Sequence, residues 1–209
     1  MRIELEKLSK RYDREWIIRS FSYVFESGNC YGVNGRNGAG KSTLLRILSG
    51  HLTPSRGRIT FSADDKVIAT EDLYPHLSLV GPYIDLIEEL TLTEAIDFHF
   101  QFKKPRPGID KKLLPDLLEL NKYKKLKLNQ FSSGMKQRVA LGLALFADTE
   151  LLLLDEPTTT LDREAREWFQ QNLAKQQSGR LVVIATNVED DLQNCNHLID
   201  MATVRGEVK

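Results

Sequence analysis

The run Gly35-Arg36-Asn37-Gly38-Ala39-Gly40-Lys41-Ser42 fits the pattern G-x-x-x-x-G-K-[S/T]. The residue types explain the chemistry. Glycines let backbone N–H groups close around phosphate oxygens with no Cβ in the way. Lys41 would reach the β- and γ-phosphates of a bound nucleotide, and the Ser42 hydroxyl would ligate Mg²⁺. Gly35, Asn37, Gly38, Ala39, Gly40, Lys41, Ser42 and Thr43 are therefore the candidate phosphate-contacting residues. A helix predicted over Ser42–Leu48 turns its positive end toward the same anion. Asn29-Cys30-Tyr31-Gly32-Val33 reads as the strand that leads into the loop, so strand, loop and helix follow in the required order.

A second constellation is Leu151-Leu152-Leu153-Leu154-Asp155-Glu156, an apolar strand that ends in two acids. A strand-end Asp supports the Mg²⁺ held by a phosphate-loop hydroxyl, and Asp155 fits that place. Glu156 then stands where a carboxylate could polarise a water in line with the γ-phosphate.

Several elements must hold these groups. Short β patterns occupy residues 1–33, at Ile3/Leu5, Trp16–Ile18, Phe21–Phe25 and Cys30–Val33. Further strands are predicted near Arg58–Phe61, Lys66–Ala69 and Leu77–Val80. Helices are predicted over Thr91–Phe102, Asp110–Leu120 with Pro115 as a weak point, and Met135–Phe146. Beyond them come strand Leu151–Leu154, helix Arg163–Gln177, strand Leu181–Thr186, a short helix from Glu189 and strand His197–Thr203. That alternation implies parallel strands buried on both faces, with residues from about 84 to 146 as a helical insert.

The chain has 209 residues, with 29 basic and 29 acidic side chains. This balance argues against a partner bound through its phosphate backbone, and no nucleic acid is expected. Lys122-Tyr123-Lys124-Lys125-Leu126-Lys127 reads as a solvated helix end. Cys30 and Cys195 lie far apart in the sequence and form no metal pattern, so a reduced, cytosolic setting is expected. Met1 to Glu6 alternates like a strand and is no signal peptide. No uncharged apolar run approaches the about 20 residues that span a bilayer; Val139–Ala147 is ended by Asp148 and Glu150. Any membrane role is expected through a partner.

Gln130-Phe131-Ser132-Ser133-Gly134-Met135-Lys136-Gln137-Arg138 precedes an apolar helix, fewer than 20 residues before the acid pair. Thr159-Thr160-Leu161-Asp162 follows that pair. In this order, with the phosphate loop first, the motifs resemble those of the ATP-binding cassette ATPases that serve as nucleotide-binding subunits of ABC transporters. The resemblance covers essentially the whole chain. It implies an α/β fold: a P-loop NTPase core with a mainly parallel sheet, an N-terminal antiparallel β subdomain and a helical insert. One domain would span 1–209, with an ATP-binding core at about 1–83 and 147–209 and a helical subdomain at about 84–146. It further implies ATP and Mg²⁺ as ligands, hydrolysis of ATP to ADP and phosphate, and a dimer, most simply of identical chains, closing around ATP. Ser132 and Gly134 would contact the γ-phosphate held by the second subunit. Tyr12 resembles the aromatic that stacks on adenine, although Trp16 is nearby. Membrane-spanning subunits would place the chain at the cytoplasmic face of the membrane. They would dock near Tyr83-Ile84-Asp85-Leu86-Ile87, a stretch that equally suits core packing. The compact size resembles exporter-type subunits.

The chain departs from the family pattern at several positions. Phe131 stands for Leu, Ser133 for Gly and Met135 for Gln in the signature. Tyr83 takes the place of a Gln that touches Mg²⁺ and its water, and Asn187 takes the place of a His at the γ-phosphate. Asn can donate an N–H but is never cationic. Loss of one well-aimed donor costs on the order of 10²–10³ in rate, so slow hydrolysis is expected. A nucleotide-gated module with little turnover, or a soluble ABC ATPase outside transport, are the alternative readings.

Overall fold

The computed structural model describes residues 1–82 and 85–206. Tyr83 and Ile84, which carry two of the expectations above, lie outside the described residues. Along the chain run β1 (Arg2–Tyr12), β2 (Glu15–Glu26), β3 (Cys30–Asn34), α1 (Lys41–Leu48), β4 (Arg56–Ala63), β5 (Lys66–Ile68) and β6 (Leu77–Val80). Then follow α2 (Leu92–Phe102), α3 (Leu114–Leu117), α4 (Ser133–Phe146), β7 (Leu151–Asp155), α5 (Arg163–Gln176), β8 (Leu181–Thr186), β9 (His197–Asp200) and α6 (Met201–Val204).

The strands form two sheets. One is antiparallel in the order β2-β1-β4-β5, and the other is parallel in the order β6-β7-β8-β3-β9. Parallel strands need crossovers, and helices supply them, which buries both faces of the sheet. Alternation along β7 and β8 shows it. Leu152, Leu154, Val182 and Ile184 join an apolar layer with α2, α3, α4 and α5. Leu151, Leu153, Leu181 and Val183 join a second layer with α1 and the antiparallel sheet. At about 25 cal/mol per Å² of apolar surface, these layers supply most of the driving force for folding.

Local chemistry sets several boundaries that periodicity alone places elsewhere. The two predicted strands Trp16–Ile18 and Phe21–Phe25 are one strand, β2. Ser20 within it has φ of 47°, where pairing with β1 becomes irregular. Pro115 lies in the first turn of α3 rather than weakening it, because a first-turn N–H has no intrahelical partner to lose. A 3₁₀ turn at Lys111–Leu113, capped by Asp110, precedes α3, and Glu119 in the left-handed region follows it. The last strand ends at Asp200, short of the predicted Thr203. The Asp200 side chain accepts from the Ala202 N–H and starts α6. Thr91 makes a complete capping box with Glu94 at the start of α2.

The cysteines that are distant in sequence meet in the fold. Cys30 Sγ and Cys195 Sγ are 3.0 Å apart, both as free thiols. Asn196 clamps the pair by accepting from the Cys30 N–H at 2.8 Å through Oδ1. The hydrogen bond to Cys195 and burial push the Cys30 thiol up. The lysine-rich segment 122–127 is a 3₁₀ turn and loop with its lysines exposed. The run Val139–Ala147, in and just after α4, is buried except for the partly buried Ala140. No helix among the described residues is long and apolar enough to cross a membrane.

Two bases, one buried beside β8 and one largely desolvated in α2, have lowered proton affinity. Arg180 is 2% exposed and donates to the Leu145 carbonyl at 3.0 Å, the Ala144 carbonyl at 3.3 Å and Thr149 Oγ1. Burial is the main reason its guanidinium falls to about 9. His99 in α2 falls from 6.5 to about 4, first through burial and then through the nearby Lys103 ammonium. The folded protein therefore holds His99 neutral while the unfolded chain takes up a proton between those values. Stability should fall as pH drops from 6.5 to 4, by on the order of 3 kcal/mol at the limit for this group. His99→Gln should flatten that acid limb in urea unfolding followed across this pH window.

Candidate functional site

Three neighbouring parallel strands end at one edge of the sheet. β3 runs into the phosphate loop, β7 into Asp155 and Glu156, and β8 into Thr186 and Asn187. Register aligns them, with Asp155 opposite Ala185 and Asn34 opposite Thr186. Open α/β sheets bind ligands at this carboxyl edge. Here the edge opens on a cleft of about 600 Å³ lined by Tyr12, Asn37, Gly38, Gly40, Lys41, Ser42, Thr43, Asp155, Glu156 and Asn187.

The phosphate loop is shaped by close approach. Gly38 and Gly40 have φ of 78° and 102°, the left-handed region that favours glycine. A Cβ on Gly40 would also overlap Ile17 Cγ2. A Cβ on Gly35 would lie 2.9 Å from Met201 Cβ, so α6 packs directly beneath the loop. Ala39 N–H donates to the Arg36 carbonyl at 3.0 Å and closes the turn. α1 starts at Lys41 with no side-chain cap, which leaves its first-turn N–H groups as donors at the cleft.

Charge is concentrated where the loop meets β7. Lys41 is 6% exposed. Its Nζ donates to the Gly35 carbonyl at 2.9 Å and lies 3.2 Å from Glu156 Oε1. Asp155 is 5% exposed, and its Oδ1 is buried without a hydrogen-bond partner among the described residues. Burial pushes the Asp155 carboxyl up, a hydrogen bond from Ser42 opposes this, Glu156 adds to the rise and Lys41 opposes it. An under-satisfied buried carboxylate oxygen beside a serine hydroxyl is a donor set for a hard cation such as Mg²⁺. Glu156 sits at φ of 50°, an uncommon conformation for a non-glycine residue. Its N–H donates to the Ala185 carbonyl at 2.7 Å, which locks the turn onto β8.

The other sequence candidates fall into two groups. Asn187 reaches the phosphate loop, where its Nδ2 donates to Asn37 Oδ1 at 3.2 Å. Tyr12, at the end of β1, is 44% exposed on the cleft wall under the Lys10 ammonium. Ser132 and Gly134 do not line this cleft. Ser132 is exposed and caps α4 by accepting from the Met135 N–H at 3.2 Å, and a Cβ on Gly134 would lie 3.1 Å from the Thr160 carbonyl. Phe131 is buried against Tyr123, a packing role that suits an aromatic in place of Leu. Of the suggested docking stretch, Leu86 packs on the core while Asp85 and Ile87 are exposed.

Sequence reasoning missed the groups that support the site. Gln137 lines the cleft and donates to the Pro157 carbonyl at 2.9 Å, so α4 touches the turn after β7. Asp191, 1% exposed, accepts from Thr158 and Thr186. In sequence it is one of three successive acids, Glu189, Asp190 and Asp191, with nothing to mark it.

The comparisons agree with this geometry. Residues 18–159 match the family described as ABC transporter. The chain is 32% identical over 203 residues to a Nod factor export ATP-binding protein I of Neorhizobium galegae, covering 95% of this chain and 58% of that protein. It is 30% identical over 207 residues to the uncharacterized ABC transporter ATP-binding protein YybJ of Bacillus subtilis (strain 168), covering 95% and 92%. The chain thus spans 58–65% of the length of the first Nod-factor relatives it matches. Its fold follows the ATP-binding cassette MJ0796, solved as a dimer in a post-hydrolysis state with ADP and Pi, at 24% identity and a TM-score of 0.80 over 95% of this chain and 93% of that one. A putative ABC transporter ATP-binding protein from Pyrococcus furiosus gives the same TM-score at 22% identity, over 98% and 99%. With its phosphate loop, strand-end acids and two-sheet core in the expected places, the chain belongs to the ABC transporter ATP-binding family.

Proposed function

We propose that this chain binds and hydrolyses ATP as one of two cassettes that close around nucleotide to drive a membrane transporter. The observation that carries this reading is the convergence of Lys41, Ser42, Asp155 and Glu156 in one cleft from two separate strand ends. Lys41 would hold the β- and γ-phosphates, helped by the N–H groups of Gly38, Ala39, Gly40, Ser42 and Thr43. Mg²⁺ would be held by Ser42 and Asp155, where it would neutralise phosphate charge. Tyr83 remains a suggestion for that site from the resemblance alone. Glu156 would take the proton of the attacking water, and Tyr12 would face the base. Ser132 and Gly134 would serve the nucleotide of the second subunit, which accords with their place outside this chain's own cleft.

The ATP-binding core is taken as about 1–83 and 147–209, and the helical subdomain as about 84–146, the stretch between β6 and β7 that carries α2, α3 and α4. Membrane-spanning subunits would dock on that subdomain and hold the chain at the cytoplasmic face. An exporter is favoured because a relative covering most of this chain is named for export. A second reading, a nucleotide-gated module with little turnover, is favoured by one observation. Asn187 is neutral, and its amide donates to Asn37 rather than offering a cationic donor.

Lys41→Ala should abolish or severely weaken MgATP binding in calorimetry, because it deletes the main point charge on the phosphates. Glu156→Gln should retain ATP binding, lower hydrolysis by at least about 10²-fold and accumulate an ATP-bound dimer in light scattering. Undiminished turnover in Glu156→Gln would remove it as the base.

Asp155→Asn tests the metal ligand. Burial raises the folded-state carboxyl, so the carboxylate costs stability at neutral pH, and that cost is relieved as pH falls. The Asn variant should therefore melt at a higher temperature than the parent without metal and lose the parent's stabilisation by MgATP. Asn187→His should raise turnover if the missing cationic donor limits the rate, and no gain in a steady-state assay would show that the site is adjusted around Asn187.

A further inference from the structure

A buried acid outside the cleft links the two turns that carry the reacting groups. Asp191 lies in a 3₁₀ turn over Glu189–Leu192, four residues after Asn187. Its Oδ1 accepts from Thr158 Oγ1 at 2.8 Å and its Oδ2 from Thr186 Oγ1 at 3.0 Å. Both threonines are themselves buried, at 1% and 0% exposure. Thr158 is two residues past Glu156, and Thr186 immediately precedes Asn187. One carboxylate thus joins the end of β7 to the end of β8.

A hydroxyl has a single hydrogen to give. Thr186 Oγ1 is 3.0 Å from Asp191 Oδ2 and 3.4 Å from Glu156 Oε2, and it accepts from the Val188 N–H at 3.0 Å. The shorter contact, to a carboxylate in a buried setting, takes that hydrogen. This fixes the Thr186 rotor and leaves Glu156 Oε2 free of a close donor from it. Burial raises the Asp191 carboxyl, while the Thr158 and Thr186 hydroxyls and the Arg166 charge oppose that rise. A solvated surface acid needs none of this support, and buried acids persist only where they are hydrogen-bonded.

We propose that Asp191 is a positioning residue for hydrolysis: by accepting from Thr158 and Thr186 it holds Glu156 and Asn187 in their working relation without touching nucleotide. The inference rests on the ATPase reading given above. It assigns Asp191 an effect on turnover and none on nucleotide affinity, since neither oxygen reaches the cleft lining.

The test uses the full chain with MgATP. Asp191→Asn keeps the shape but turns one acceptor into a donor, which faces the hydroxyl of Thr158 or Thr186. It should lower kcat by about 10-fold to 100-fold, with the ATP Kd within about 2-fold of the parent. Thr186→Val should lower kcat similarly, and Thr186→Ser, which keeps the hydroxyl, should recover more turnover than Val. In the double variant with Thr186→Val, the losses should be clearly less than additive, because the two share the Thr186 contact while Thr158 keeps the other. Unchanged kcat in Asp191→Asn, additive losses, or weakened ATP binding in step with a lower Tm would each overturn the inference. If Asp191→Asn does not fold, the Val and Ser variants at Thr186 decide it on the same readouts, and equal turnover in the two would overturn it. Absence of Lys41-dependent turnover in the parent would instead overturn the ATPase reading, and the inference with it.

Discussion

An ammonium group buried to 6% exposure is costly unless lone pairs and opposite charge surround it, and Lys41 sets this demand at the centre of the molecule. The Gly35 carbonyl meets it from within the loop, and Glu156 meets it from the next-but-one strand. Each partner requires further structure. Gly35 can approach only because it has no Cβ to strike Met201, and Glu156 can turn inward only with its backbone in the left-handed region. The Ala185 carbonyl then holds Glu156 in that conformation, so β8 must lie between β7 and β3. Parallel order, register and loop geometry all serve this one buried charge.

The loop and the strand-end acids, whose signals are local, were legible in the sequence. Phosphate binding by a contiguous stretch of backbone needs glycines at fixed offsets, and Gly35 to Ser42 displays them. The acid pair was legible because four leucines forced a buried strand and two carboxylates ended it. The parallel core followed from strands alternating with helices, and the structure has the mainly parallel sheet, the antiparallel N-terminal sheet and the helices between β6 and β7.

What depends on distant pairing was not legible. Cys30 and Cys195 meet only because β3 lies beside β9 and Asn196 reaches across. The same holds for Asp191, whose partners Thr158 and Thr186 come from two other segments. Hydropathy alone also extends a strand through Met201-Ala202-Thr203, and only the Asp200 cap shows why the chain coils there instead. In each case a side-chain hydrogen bond between segments outweighs the local pattern.

The contact between Gln137 and the Pro157 carbonyl gives α4 a mechanical meaning. A helix of 14 residues is a stiff rod, roughly 21 Å long at about 1.5 Å per residue. Its far end is pinned by Arg180 through the Leu145 and Ala144 carbonyls, and its near end projects Ser132 into solvent. Pro157, one residue after Glu156, meets this rod about one turn from its first residue. One rigid element thus spans from the turn beside Glu156 to the exposed cap at Ser132, so the position of that cap is set from inside the cleft rather than by the loop that carries it.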